Sequence, residues 1–74
     1  MKKSEITKIE AYLRRTLGSD KLRVVSRPTK TDSADVVVGQ GKDEEFVGVV
    51  FVDDEDGDRS FNFQMSILAE DLSD

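Results

Sequence analysis

Five carboxylates crowd into six residues at Asp53-Asp54-Glu55-Asp56-Gly57-Asp58, the densest set of hard-metal ligands in the chain. A calcium loop of the EF-hand type needs ligands at its positions 1, 3 and 5, glycine at 6 and glutamate at 12. With Gly57 at position 6, position 1 is Val52 and position 12 is Phe63, so the pattern fails at both ends. What remains is weak attraction for a hard cation, or a solvated hairpin loop. The hairpin is the more economical reading, because Asp-Gly supplies the positive φ of a tight turn. Gly39-Gln40-Gly41-Lys42 has the residue types of a phosphate cradle without the spacing of a P-loop, and no helix follows it. It too reads as a hairpin connection. Arg23 and Arg27 share one face of a strand and could grip an anion, although pairing with Asp35 across the strands would occupy at least one of them.

The chain holds no histidine and no cysteine. Acid–base or nucleophilic catalysis would then rest on paired carboxylates, a lysine, or a serine with its own base. The carboxylates cluster in loops, and a fold this small is not expected to enclose a pocket. The sequence therefore predicts a protein that is not an enzyme and has no catalytic residues, no cofactor and no metal site.

Seventy-four residues make a single domain, 1–74, near the lower limit of what folds without disulfides or metals. The net charge of −5 conceals an asymmetry: residues 1–31 carry nine of the eleven basic side chains against three acids, for +6, and residues 32–74 carry −11. Mutual neutralisation of the two halves is the simpler account, and an acidic protein repels nucleic acid unless its basic patch is sharply segregated. No apolar run approaches the roughly 20 residues that span a bilayer. Met1-Lys2-Lys3-Ser4-Glu5-Ile6 has a basic start without the apolar stretch of a secretory signal. A cytoplasmic protein without membrane contact is expected.

The elements that must carry these residues can be read from periodicity. Ile6, Ile9, Leu13 and Leu17 recur at helical spacing over 4–17, with Ser4 as N-cap, an i,i+4 pair between Glu10 and Arg14, and Gly18 as the left-handed stop. Strands are predicted at 22–27, 34–38, 45–52 and 60–68, separated by Pro28 and polar or glycine-bearing loops. Connections this short exclude parallel crossovers. The predicted fold is α+β, with one N-terminal amphipathic helix packed on one face of a four-stranded antiparallel meander sheet.

The last strand alternates most cleanly: Phe61, Phe63, Met65 and Ile67 fall on one face and Asn62, Gln64 and Ser66 on the other. The first set is expected to be the centre of the core, beneath Ile6, Ile9, Leu13 and Leu17, with Val47, Val49 and Phe51 alongside. Tyr12 is expected to pack over the sheet edge.

Taken whole, the chain resembles a family of short alphaproteobacterial proteins grouped as a domain of unknown function. The resemblance rests on Lys3-Ser4-Glu5-Ile6 with Tyr12-Leu13-Arg14, on Leu22-Arg23-Val24 followed by Arg27-Pro28, and on Phe61 to Leu68 with Asp71-Leu72 behind it. It implies a bacterial cytoplasmic protein and brings no activity or site residues with it.

Two functions of different kind are expected from the residues. The first is a small interaction module acting through the second sheet face or an edge strand, toward a protein partner or a second copy as a homodimer. Its expected face is Val25, Val37, Phe46, Gly48, Val50, Val52 and Leu68, because contiguous apolar patches on monomers mark contact sites. The alternative is weak binding of an anionic ligand or nucleic acid through Lys8, Arg14, Arg15, Arg23 and Arg27.

Overall fold

Helix α1 spans Lys3–Leu17, and its Ile6–Ile9–Leu13 stripe packs against the sheet with Leu13 buried. The computed structural model describes residues 1–54 and 57–72. The first turn of α1 is closed by Glu5 rather than Ser4: the Lys2 N–H donates to Glu5 Oε1 at 2.9 Å. Gly18 ends the helix at φ 67°, which lets the Ser19 N–H donate to the Arg14 carbonyl at 3.0 Å. Leu17, the last residue of the predicted stripe, is exposed. No helix among the described residues is long and apolar enough to cross a membrane.

Four strands follow in antiparallel order β1-β2-β3-β4: Leu22–Arg27, Lys30–Val38, Glu45–Asp53 and Ser60–Met65. The α+β meander with a single helix on one face is the predicted architecture. Two strand ends differ from expectation. β2 starts at Lys30, so its turn from β1 shrinks to Pro28-Thr29, and the pairing slips there, with Ser26 opposite Ala34 but Arg27 opposite Lys30. β4 stops at Met65, leaving Ile67 and Leu68 beyond the sheet.

A bulge in β3 decides which side chains meet the helix. Val36 lies opposite Gly48 and Val37 opposite Phe46, so Val47 has no partner of its own on β2. One extra residue on one strand reverses the phase of everything after it. The predicted alternation is correct at Phe46 and Val47 and inverted beyond them. Gly48, Val50 and Val52 fall on the helix face, opposite Met65, Phe63 and Phe61 of β4. Val49 and Phe51 turn to the outer face. Gly48 is required at the bulge, since a Cβ there would lie 2.3 Å from the Gln64 carbonyl oxygen.

The core sits over β1, β2 and the middle of β3, not over β4. It consists of Leu13, Leu22, Val24, Ala34, Val36 and Val50, with Met1, Ile6, Ile9, Val38, Val47 and Phe63 packed partly buried around it. Val50 is 1% exposed, and burying a valine side chain fully contributes about 1.5–3 kcal/mol. The expected centre of the core is therefore displaced. Phe61 and Met65 are exposed, Ile67 is 64% exposed, and of that set Phe63 alone reaches the core. The reason is the placement of α1, which packs chiefly on β1 and leaves most of β4 uncovered.

Candidate functional site

The two edges of the sheet are built differently. At β1, side chains of α1 take up two outward backbone groups: the Val24 N–H donates to Glu10 Oε1 at 2.9 Å, and Arg14 Nε donates to the Leu22 carbonyl at 2.7 Å. Glu10 and Arg14 also face each other at 3.7 Å, the predicted i,i+4 pair. They stand one helical turn apart, on the side of α1 that runs along β1. Unpaired edge amides and carbonyls are templates for another strand, and the first half of β1 is engaged in this way.

Among the described residues β4 has no such cover. Ser60-Phe61-Asn62-Phe63-Gln64-Met65 contains no proline and no charged residue, the usual protections of an exposed edge. Among the described residues no side chain bonds to the backbone of Phe61 to Met65. Beside this edge, on the helix face, the sheet is uncovered. A groove of about 530 Å³ runs between α1 and β4, walled by Ile9, Tyr12 and Leu13 and floored by Val50, Phe61 and Phe63, with Glu5 and Lys8 on its rim.

One end of the groove is fixed by charge. Arg59 grips Glu5 with two hydrogen bonds, Nε to Oε2 at 2.6 Å and Nη2 to Oε1 at 3.0 Å. The same guanidinium lies 5.6 Å from the centre of the Phe61 ring and 3.5 Å from Asp54. The Arg59 hydrogen bonds, and then the Lys2 amide, lower the pKa of Glu5 from 4.5 to about 2. Glu5 is a fixed carboxylate at neutral pH and offers the groove an ion-pair acceptor, not a proton donor.

The expected interaction face is redistributed by the bulge. Val25 and Phe46 are exposed on the outer face as predicted, while Val37, on the same face, is buried. Gly48, Val50 and Val52 belong to the helix face, with Gly48 and Val50 buried, and Leu68 is exposed past the end of β4. Val49 and Phe51 join the outer face in their place, among Asp35, Asn62 and Gln64. On that face Phe46, Val49 and Phe51 line one shallow depression with Gln64 and Ser66, and Val37 lies opposite Phe46. Tyr12, predicted to pack on the sheet edge, is exposed at the groove with Arg15 above its ring at 5.5 Å.

The basic residues are dispersed and largely engaged. Arg23 holds Glu44 and donates to the Gly39 carbonyl at 3.1 Å, and Arg27 meets Asp35 at 3.5 Å, the cross-strand pair expected from sequence. Arg14 is committed to the β1 edge. Lys8 and Arg15 lie on α1, away from the sheet face that carries Arg23 and Arg27. The glycine loop is a connection, as read: Gly41–Asp43 forms a single 3₁₀ turn between β2 and β3. Of the acidic run, Glu55 and Asp56 lie outside the described residues, and among the described residues no three acidic side chains gather to hold a metal ion.

Sequence reasoning offered an edge strand without saying which of the two edges is open. The one available signal was composition: β4 is the strand without a charge, whereas β1 carries Arg23 and Arg27. No curated protein and no solved structure matches the chain. Residues 5–71, which take in nearly all of α1 and all four strands, match the model of DUF3126, described as a protein of unknown function, and the chain belongs to that family.

Proposed function

We propose that the protein is a small non-enzymatic interaction module that binds an extended protein segment by strand addition at β4. The observation that carries this reading is the contrast between edges, one engaged by Glu10 and Arg14 and the other bare. Main-chain hydrogen bonds along an open edge give affinity, and pockets for alternate side chains give specificity. The groove beside β4 supplies such a pocket with Phe61 on its floor, and Met65, exposed farther along the strand, adds an apolar contact. The reading on nucleic acid is less well supported, because Arg14, Arg23 and Arg27 are engaged within the chain. A cytoplasmic setting rests on the family resemblance alone.

Site-specific photo-crosslinking in the cell tests the reading. A benzophenone side chain at Gln64, on the open edge strand, is expected to give a discrete protein adduct, and one at Ser26, on β1, none. Loss of the Gln64 adduct, or equal labelling from both positions, would overturn it.

A further inference from the structure

We infer that the segment that β4 accepts is the β4 strand of a second copy, paired antiparallel about a two-fold axis at Phe63. The inference rests on the strand-addition reading above. Its first support is that β4 is complementary to itself in this register. Phe61 falls opposite the partner's Met65 and Phe63 opposite the partner's Phe63, all on the helix face. On the other face Asn62 falls opposite the partner's Gln64, so amide meets amide. No charge sits in the strand to repel its copy.

The acidic residues explain the direction. Asp53, Asp54 and Asp58 stand at the N-terminal end of β4 in a chain of net charge −5. A parallel pair would set the two acidic loops side by side, about 5 Å apart across the strands. The antiparallel pair sends them to opposite ends of a six-residue strand. At about 3.4 Å per residue they are then roughly 20 Å apart. That exceeds the screening length of about 8 Å at physiological salt, so their repulsion is largely removed.

The two-fold axis stands perpendicular to the sheet, so both helices lie on the same face of a continuous eight-stranded sheet. The open halves adjoin, and the two grooves merge into one apolar trough floored by Phe61, Phe63 and Met65 of each copy. The side chains that α1 leaves exposed then pack laterally against their copies, Phe61 against Met65 and Phe63 against Phe63.

Sedimentation equilibrium of the full chain, with two charge variants, tests the assignment. Asn62→Lys/Gln64→Lys and Asn62→Glu/Gln64→Glu change exposed outer-face positions, and circular dichroism should show both folded. The wild type should be a concentration-dependent dimer. Each variant alone should dimerise about tenfold more weakly or worse, because like charges then face each other across the joint. An equimolar mixture should restore a 1:1 dimer. A wild type that stays monomeric at millimolar concentration overturns the inference, as does a dimer indifferent to both variants or a mixture that stays monomeric. In the crosslinking experiment, a Gln64 adduct with a different protein and none at twice the chain mass would remove the second copy while leaving strand addition intact.

Discussion

The two halves of this sheet are made from similar residues and have opposite fates. β1 and β2 place Leu22, Val24, Ala34 and Val36 beneath α1, where all four are buried. β4 places Phe61, Phe63 and Met65 on the same face, with more apolar area per residue, and only Phe63 reaches the core. Hydrophobicity therefore does not decide which strand is central. The position of the one helix decides it, and that position is held by polar contacts: Glu10 and Arg14 attach α1 to the backbone of β1. A lone helix covers about two strands, so attachment at one side leaves the other side open.

The largest expected effect sharpens this difference. Leu22→Ala should cost about 2–5 kcal/mol, since Leu22 is 2% exposed and its loss leaves a cavity under the helix. Met65→Ala, at a half-exposed residue, should cost less than about 1 kcal/mol in dilute solution. Denaturant melts at low protein concentration would measure both. Equal losses would mean that β4 is as much a part of the monomer core as β1.

A smaller effect is expected where the halves join. Gly48→Ala introduces a Cβ within 2.3 Å of the Gln64 carbonyl oxygen and 2.8 Å of the Phe63 ring, both on β4. Forcing these strands apart should cost about 1–3 kcal/mol. Amide hydrogen exchange should quicken along β4 and remain unchanged along β1. Uniform acceleration would show that the two halves open together.

The smallest effect concerns the tie between α1 and the open half. Glu5 has its pKa lowered by Arg59 from 4.5 to about 2. A carboxylate with a depressed folded-state pKa contributes stability that is fully present above its unfolded value and is lost as pH falls through the folded one. The stability difference between the wild type and Glu5→Gln should therefore be constant above about pH 5 and shrink between about pH 4.5 and pH 2. Thermal melts of the pair across that range check it, and a difference that grows on acidification contradicts the assignment.

How much of this could be read from sequence depends on how local the determinant is. The helix, its Gly18 stop, the four strands and the Arg27–Asp35 pair follow from spacing within a few residues or between adjacent strands. The phase of β3 does not. Phe46-Val47-Gly48-Val49-Val50 is apolar on both sides of the bulge, so no polar residue marks where the alternation reverses. The position of α1 depends on Glu10 reaching Val24 and Glu5 reaching Arg59, residues 14 and 54 apart in the chain. Neither contact leaves a local pattern. The candidate site was hidden for the same reason: strand order makes β4 an edge, but whether its helix-side face is covered depends on where the helix settles.

The hydrogen bond from Val24 to Glu10 also sets how many partners a molecule can have. A sheet with two open edges is a bifunctional monomer, and bifunctional monomers grow into fibres. With two of its outward backbone groups bonded to its own helix, β1 is a poorer template for another strand than β4. In the β4–β4 dimer inferred above, the junction would use the more open edge of each copy, and further growth would have to start at the edge that α1 partly occupies. In that dimer a single carboxylate would act against chain growth, on the side of the molecule remote from the junction.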